Sequence, residues 1–96
     1  MTLEQIRDEL EQLMRDLTYG RVEYMLDFMG AGVGLCAPQE ALEIVFGPIR
    51  EEMALGRTPS KETLRELDES LKQIRAAYYL AELTPVIKDL ERLLAG

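Results

Sequence analysis

Leu64, Leu67, Leu71, Ile74, Tyr78 and Ala81 recur at intervals of three, four, three, four and three. That spacing lays all six along one face of an α-helix and on both faces of a strand, so it selects the helix. The stripe then shifts to Leu83, Ile87, Leu90 and Leu94, with Val86 and Leu93 beside it, and Thr84-Pro85 marks the shift. A two-residue Thr-Pro junction is too tight for a helix reversal. The sequence therefore predicts a long C-terminal helix kinked near Pro85. Unbroken from Pro59 to Ala95, it would measure about 55 Å. That exceeds the width of a compact bundle of this length, so it bends or packs on a second copy.

The N-terminal segment carries a second stripe. Leu3, Ile6, Leu10, Leu13 and Leu17 again alternate three and four. Thr2 and Gln5 have the spacing of a capping box, and Gly20 is a plausible stop. A third stripe, Leu42, Val45, Phe46, Ile49 and Met53, follows Pro38, a good first helical residue. Gly47-Pro48 interrupts it and predicts a kink or a restart. Gly56 reads as the C-terminal cap, with Thr58 then capping a helix that begins at Pro59. Between the first and third stripes, Arg21 to Met29 is apolar nearly all round and reads as a short buried helix. Gly30, Gly32 and Gly34 break both helix and strand and read as a loop. The expected architecture is all-α: a compact bundle of four to five helices in one domain spanning residues 1–96.

The 96 residues include no His and a single cysteine, Cys36. Imidazole acid–base chemistry, Ser-His-Asp and Cys-His nucleophiles, and Cys/His zinc sites are therefore excluded within the chain. Cys36 cannot form an internal disulfide and reads as a small buried hydrophobe. Gly30-x-Gly32-x-Gly34 lacks both the dinucleotide-binding spacing and the Lys-Ser/Thr of a P-loop. Glu40 and Glu43 lack the His that a di-iron bundle would add. We expect no enzyme, no cofactor and no metal. The apolar region from Met25 to Phe46 contains Asp27, Glu40, Glu43 and Pro38 and fails as a membrane span. No basic start followed by an apolar run marks a signal peptide, and the expected location is cytoplasmic.

Eighteen acids against eleven bases give a net charge of −7, which opposes direct nucleic-acid binding. Residues 1–57 carry −6 of it and residues 58–96 only −1. The excess acid thus accompanies the Met-bearing half. The reading that follows is a non-enzymatic protein-interaction module, an adaptor, assembly factor, small chaperone or regulator, docking stoichiometrically on a partner protein. Its expected apolar contacts are Met25, Phe28, Met29 and Tyr79, since Tyr78 and Tyr79 point about 100° apart and only Tyr78 continues the core stripe. Glu9, Glu11, Asp16, Glu40 and Glu43 are the expected acidic surface. The alternative is an acidic inhibitor that mimics nucleic acid and blocks a basic binding protein, as phage-encoded anti-defence proteins do. A third reading is self-association as a homodimer, which would supplement the modest core of so short a chain.

Overall fold

The computed structural model describes residues 2–18 and 37–96. Four helices account for most of them: α1 (Leu3–Thr18), α2 (Pro38–Ala54), α3 (Lys61–Tyr78) and α4 (Leu83–Ala95). The apolar stripes place them. Ile6, Leu10, Leu13, Met14 and Leu17 of α1 enter one core with Leu42, Phe46 and Ile49 of α2. Leu64, Leu67, Leu71, Ile74 and Tyr78 of α3 join Leu83, Val86, Ile87 and Leu90 of α4 in the same cluster. Each helix packs on two others: α1 and α3 both lie against α2 and α4. Cross-links fix the directions. Arg50 of α2 reaches Glu11 and Met14 of α1, while Met53 and Gly56 lie beside Leu3 and Arg7. Arg75 donates to Thr84, and Lys72 reaches Glu91. Successive helices are thus antiparallel. The long axis of the molecule is 39 Å.

The helix ends follow from local chemistry. Thr2 Oγ1 accepts from Gln5 N–H at 3.3 Å, and Gln5 Oε1 accepts from Thr2 N–H at 2.7 Å, closing the expected capping box. At the end of α2, Gly56 takes φ +77°. Arg57 N–H then bonds to Glu52 C=O and Gly56 N–H to Met53 C=O, which satisfies carbonyls that the helix end would orphan. Ser60, not Thr58, caps α3: its Oγ accepts from Thr63 N–H at 3.2 Å. Pro59 therefore precedes the helix rather than opening it. It is buried, as is Leu64 at the fourth helical position, the pair of sites that a hydrophobic staple joins.

Of the kink or restart expected at Pro48, the restart does not occur: α2 runs through Pro48. Pro48 leaves the Ile44 carbonyl without its donor, but both residues are exposed, so water can supply the missing partner. The long kinked C-terminal helix is not formed either. A helix of about 55 Å could not fit the 39 Å axis. The chain instead reverses between Tyr79 and Glu82. Tyr79 adopts the left-handed conformation (φ 54°, ψ 41°), and Leu80 N–H bonds back to Arg75 C=O. Two tight turns, Leu83 N–H to Leu80 C=O and Thr84 N–H to Ala81 C=O, lead into α4. Pro85 is the third residue of that helix, where the N–H has no intrahelical partner to lose. It starts a helix rather than bending one. Leu80 is fully buried in the turn, while Ala81, read as part of the stripe, is exposed.

Gly20, the Arg21–Met29 segment expected as a short fifth helix, the glycine loop and Cys36 lie outside the described residues.

Candidate docking groove between the first and last helices

α1 presents three faces. Its apolar stripe points inward, and each flank meets a different neighbour. The flank toward α2 carries Glu11 and Met14, and both meet Arg50. The guanidinium lies 3.5 Å from Glu11 Oε1 through Nε and 3.4 Å from Glu43 Oε1 through Nη2. Nη2 also approaches Met14 Sδ at 3.7 Å, and the group sits 5.7 Å from the centroid of the Phe46 ring. The Nε–Glu11 contact is an ion pair without hydrogen-bond geometry, since that nitrogen is buried with no acceptor. Two expected acidic-surface residues, Glu11 and Glu43, are therefore drawn onto one cation.

The flank toward α4 is different. Here α1 and α4 enclose a groove of about 450 Å³. Leu13, Val86 and Pro85 contribute its apolar floor, and Asp8, Glu9, Gln12, Asp16 and Glu82 its polar rim. Among the described residues no Lys or Arg lines it. Gln12 Nε2 donates to Asp16 Oδ1 at 2.9 Å, one helical turn along α1. Asp8, which is largely exposed, is paired with Arg7 behind it at 3.2 Å.

Glu9 sits beside a second carboxylate. Its carboxyl faces Asp89 of α4, and its pKa is raised from the ordinary 4.5. Burial contributes most, followed by the charge of Asp89 and a hydrogen bond to it. Arg92 offsets Asp89 from the other side, at 3.4 Å. A carboxyl with a raised folded-state pKa binds more protons folded than unfolded. Its contribution to stability is present below about pH 4.5 and is lost as pH rises through the folded pKa. Glu9→Gln should therefore stabilise the protein at neutral pH, by no more than about 1 kcal/mol given the group's partial exposure. The advantage should shrink toward zero as the solution is acidified. Urea unfolding of both proteins at pH 7 and pH 4 checks this.

Tyr79 stands at the same end of the bundle as Glu82 and Pro85. It is 54% exposed and is the non-glycine residue with positive φ among the described residues. Glycine would occupy that backbone without the Cβ penalty. Relief of the left-handed strain, about 1–2 kcal/mol, outweighs the extra entropy that glycine loses on folding, about 0.5–1 kcal/mol, so Tyr79→Gly should raise stability, read as a later thermal midpoint.

The nine sequence-selected residues are thus divided. Glu9 and Asp16 meet at the groove, and Tyr79 lies on the turn that leads to it. Glu11 and Glu43 gather on Arg50 at the other flank. Glu40 is exposed in the first turn of α2. Met25, Phe28 and Met29 lie outside the described residues. Sequence reasoning missed the groove's α4 side, Glu82, Pro85 and Val86, because Pro85 read as a kink. Among the described residues no cluster of three metal-ligating side chains occurs, and no helix is long and apolar enough to cross a membrane. No family model, curated protein or solved structure matches the chain.

Proposed function

We propose that the chain is a non-enzymatic protein-interaction module that docks stoichiometrically on a partner protein, as adaptors, assembly factors, small chaperones and regulators do. The observation that carries this reading is the α1–α4 groove: an apolar floor and, among the described residues, a rim whose charged members are all acidic. Apolar surface flanked by acidic side chains is what partner binding can use, through burial for affinity and charge for selection and encounter rate. Nucleic-acid mimicry would need a continuous run of free carboxylates. The division of the acids between two flanks, with Glu11 and Glu43 held by Arg50, favours docking over mimicry.

Affinity capture from the native host, followed by mass spectrometry, tests the reading. The expected result is a defined partner recovered at 1:1 stoichiometry by the natural chain and lost by Asp16→Lys/Glu82→Lys. Recovery of a basic nucleic-acid-binding protein that elutes with slightly raised salt would favour mimicry instead. Recovery of nothing above background would sink the module reading.

A further inference from the structure

We infer that Glu9 of α1 and Asp89 of α4 form a proton-operated latch: a proton held between the two carboxyls draws the helices together, and its loss turns the same contact into a repulsion that loosens the edge of the groove. This holds whether or not the groove has an occupant. Glu9 Oε2 is buried and has no hydrogen-bond partner. The group its carboxyl faces is Asp89, whose side chain is 13% exposed. Two ionised carboxylates have no donor to offer each other. The hydrogen bond between them therefore exists only when one of them carries a proton. Left ionised, the buried Glu9 oxygen is a desolvated acceptor beside a like charge, and a proton relieves both costs.

The surrounding charges decide how the pair divides the roles. Along α1, Asp8 is paired with Arg7, and Asp16 accepts from Gln12. α2 meets α1 on the opposite flank, where Arg50 is engaged by Glu11 and Glu43. On α4, Arg92 lies 3.4 Å from Asp89 Oδ1, and Lys88 borders the same surface hollow as both. Glu91 is turned to Lys72 of α3, and Glu82 stands about 10 Å away along α4, seven residues from Asp89. Among the described residues the cations near the pair thus sit with Asp89, which makes Asp89 the acceptor and Glu9 the donor. Burial and the charge of Asp89 raise the Glu9 pKa above 4.5, in agreement. The latch is therefore closed below about pH 4.5 and opens as pH rises through the folded pKa. Leu13 and Val86 of the groove lie within one helical turn of the pair, so the opening is felt at the groove floor.

Carboxyl-carbon NMR on the full chain, labelled at Glu and Asp, tests the shared proton. The Glu9 resonance should titrate with a midpoint above 4.5, and Asp89→Asn should move that midpoint down toward 4.5. Amide exchange, divided by the intrinsic rate at each pH and compared with residues 64–74 of α3, reads the latch itself. In the natural chain, protection of residues 9–13 and 86–90 should rise as pH falls from about 7 to about 4, by up to about five-fold, the range of a half-exposed charge pair. In Glu9→Gln the side-chain amide can donate to Asp89 at every pH. Protection should then be high already at neutral pH and change by less than about two-fold. Glu51→Gln, at an exposed acid on α2, should keep the response of the natural chain.

A Glu9 midpoint at 4.5, or one that Asp89→Asn leaves in place, would overturn the inference, because no proton would then be shared with Asp89. So would a pH response in residues 9–13 and 86–90 that persists unchanged in Glu9→Gln. Both substitutions are isosteric and remove one of two facing like charges, so both variants should fold. Failure of these tests leaves partner capture at the groove untouched.

Discussion

Replacing Phe46 by alanine is expected to destabilise the protein by about 3–5 kcal/mol. Phe46 is fully buried, on the α2 stripe between Leu42 and Ile49. Its removal would leave a ring-sized void, and interiors this closely packed do not collapse to fill one. The ring also carries Arg50 at 5.7 Å, and Arg50 is the cation that holds Glu11 of α1 and Glu43 of α2. Loss of the ring therefore loosens the α1–α2 contact as well as the core. Typical domains have only about 5–15 kcal/mol to lose. The variant should unfold at a much lower urea concentration, with a broadly unchanged slope. A loss below about 1 kcal/mol would mean that Phe46 is not a core residue.

Leu80→Ala is expected to cost about 2–5 kcal/mol, and it separates two architectures. Leu80 is fully buried, yet it belongs to the connection between α3 and α4 rather than to either helix. In a continuous kinked helix it would stand two residues, about 200°, round from Tyr78. It would then face away from the core stripe, and its truncation would be nearly neutral. In the helical hairpin it closes the end of the core, one residue after the left-handed Tyr79. A large loss supports the hairpin, and a near-neutral result supports the kinked helix.

The contrast shows what the sequence could carry. Helix identity was legible wherever the stripe was clean, because a three-four alternation of Leu and Ile leaves few other ways to bury them. Ile6, Leu10, Leu42, Phe46, Leu67, Leu71, Ile87 and Leu90 are all core residues as their spacing implies. The caps at Thr2 and Gly56 were legible because their side chains, or the lack of one, carry the chemistry. The α3–α4 reversal was not. Its left-handed residue is Tyr rather than Gly, and Glu82 makes no side-chain cap to α4. With both punctuation marks missing, Pro85 was the visible signal, and it pointed three residues too far along. That one misplacement concealed the groove as well. Once the chain reverses at Tyr79, α4 runs back along α1 and brings Glu82 and Pro85 opposite Asp16. The acids of α1 were legible as acids, but their partners were not. Glu9 and Glu11 are two residues apart on a helix and so belong to opposite flanks, one facing Asp89 and the other Arg50.

Partner binding is proposed at the α1–α4 groove. Amide hydrogen exchange, measured on the chain alone and again bound to its captured partner, locates the contact most directly. The account predicts new protection concentrated in residues 8–16 and 79–86, with the α2–α3 connection at 55–60 unchanged. Protection confined to α2 and α3, with 8–16 and 79–86 exchanging as in the free chain, would contradict it.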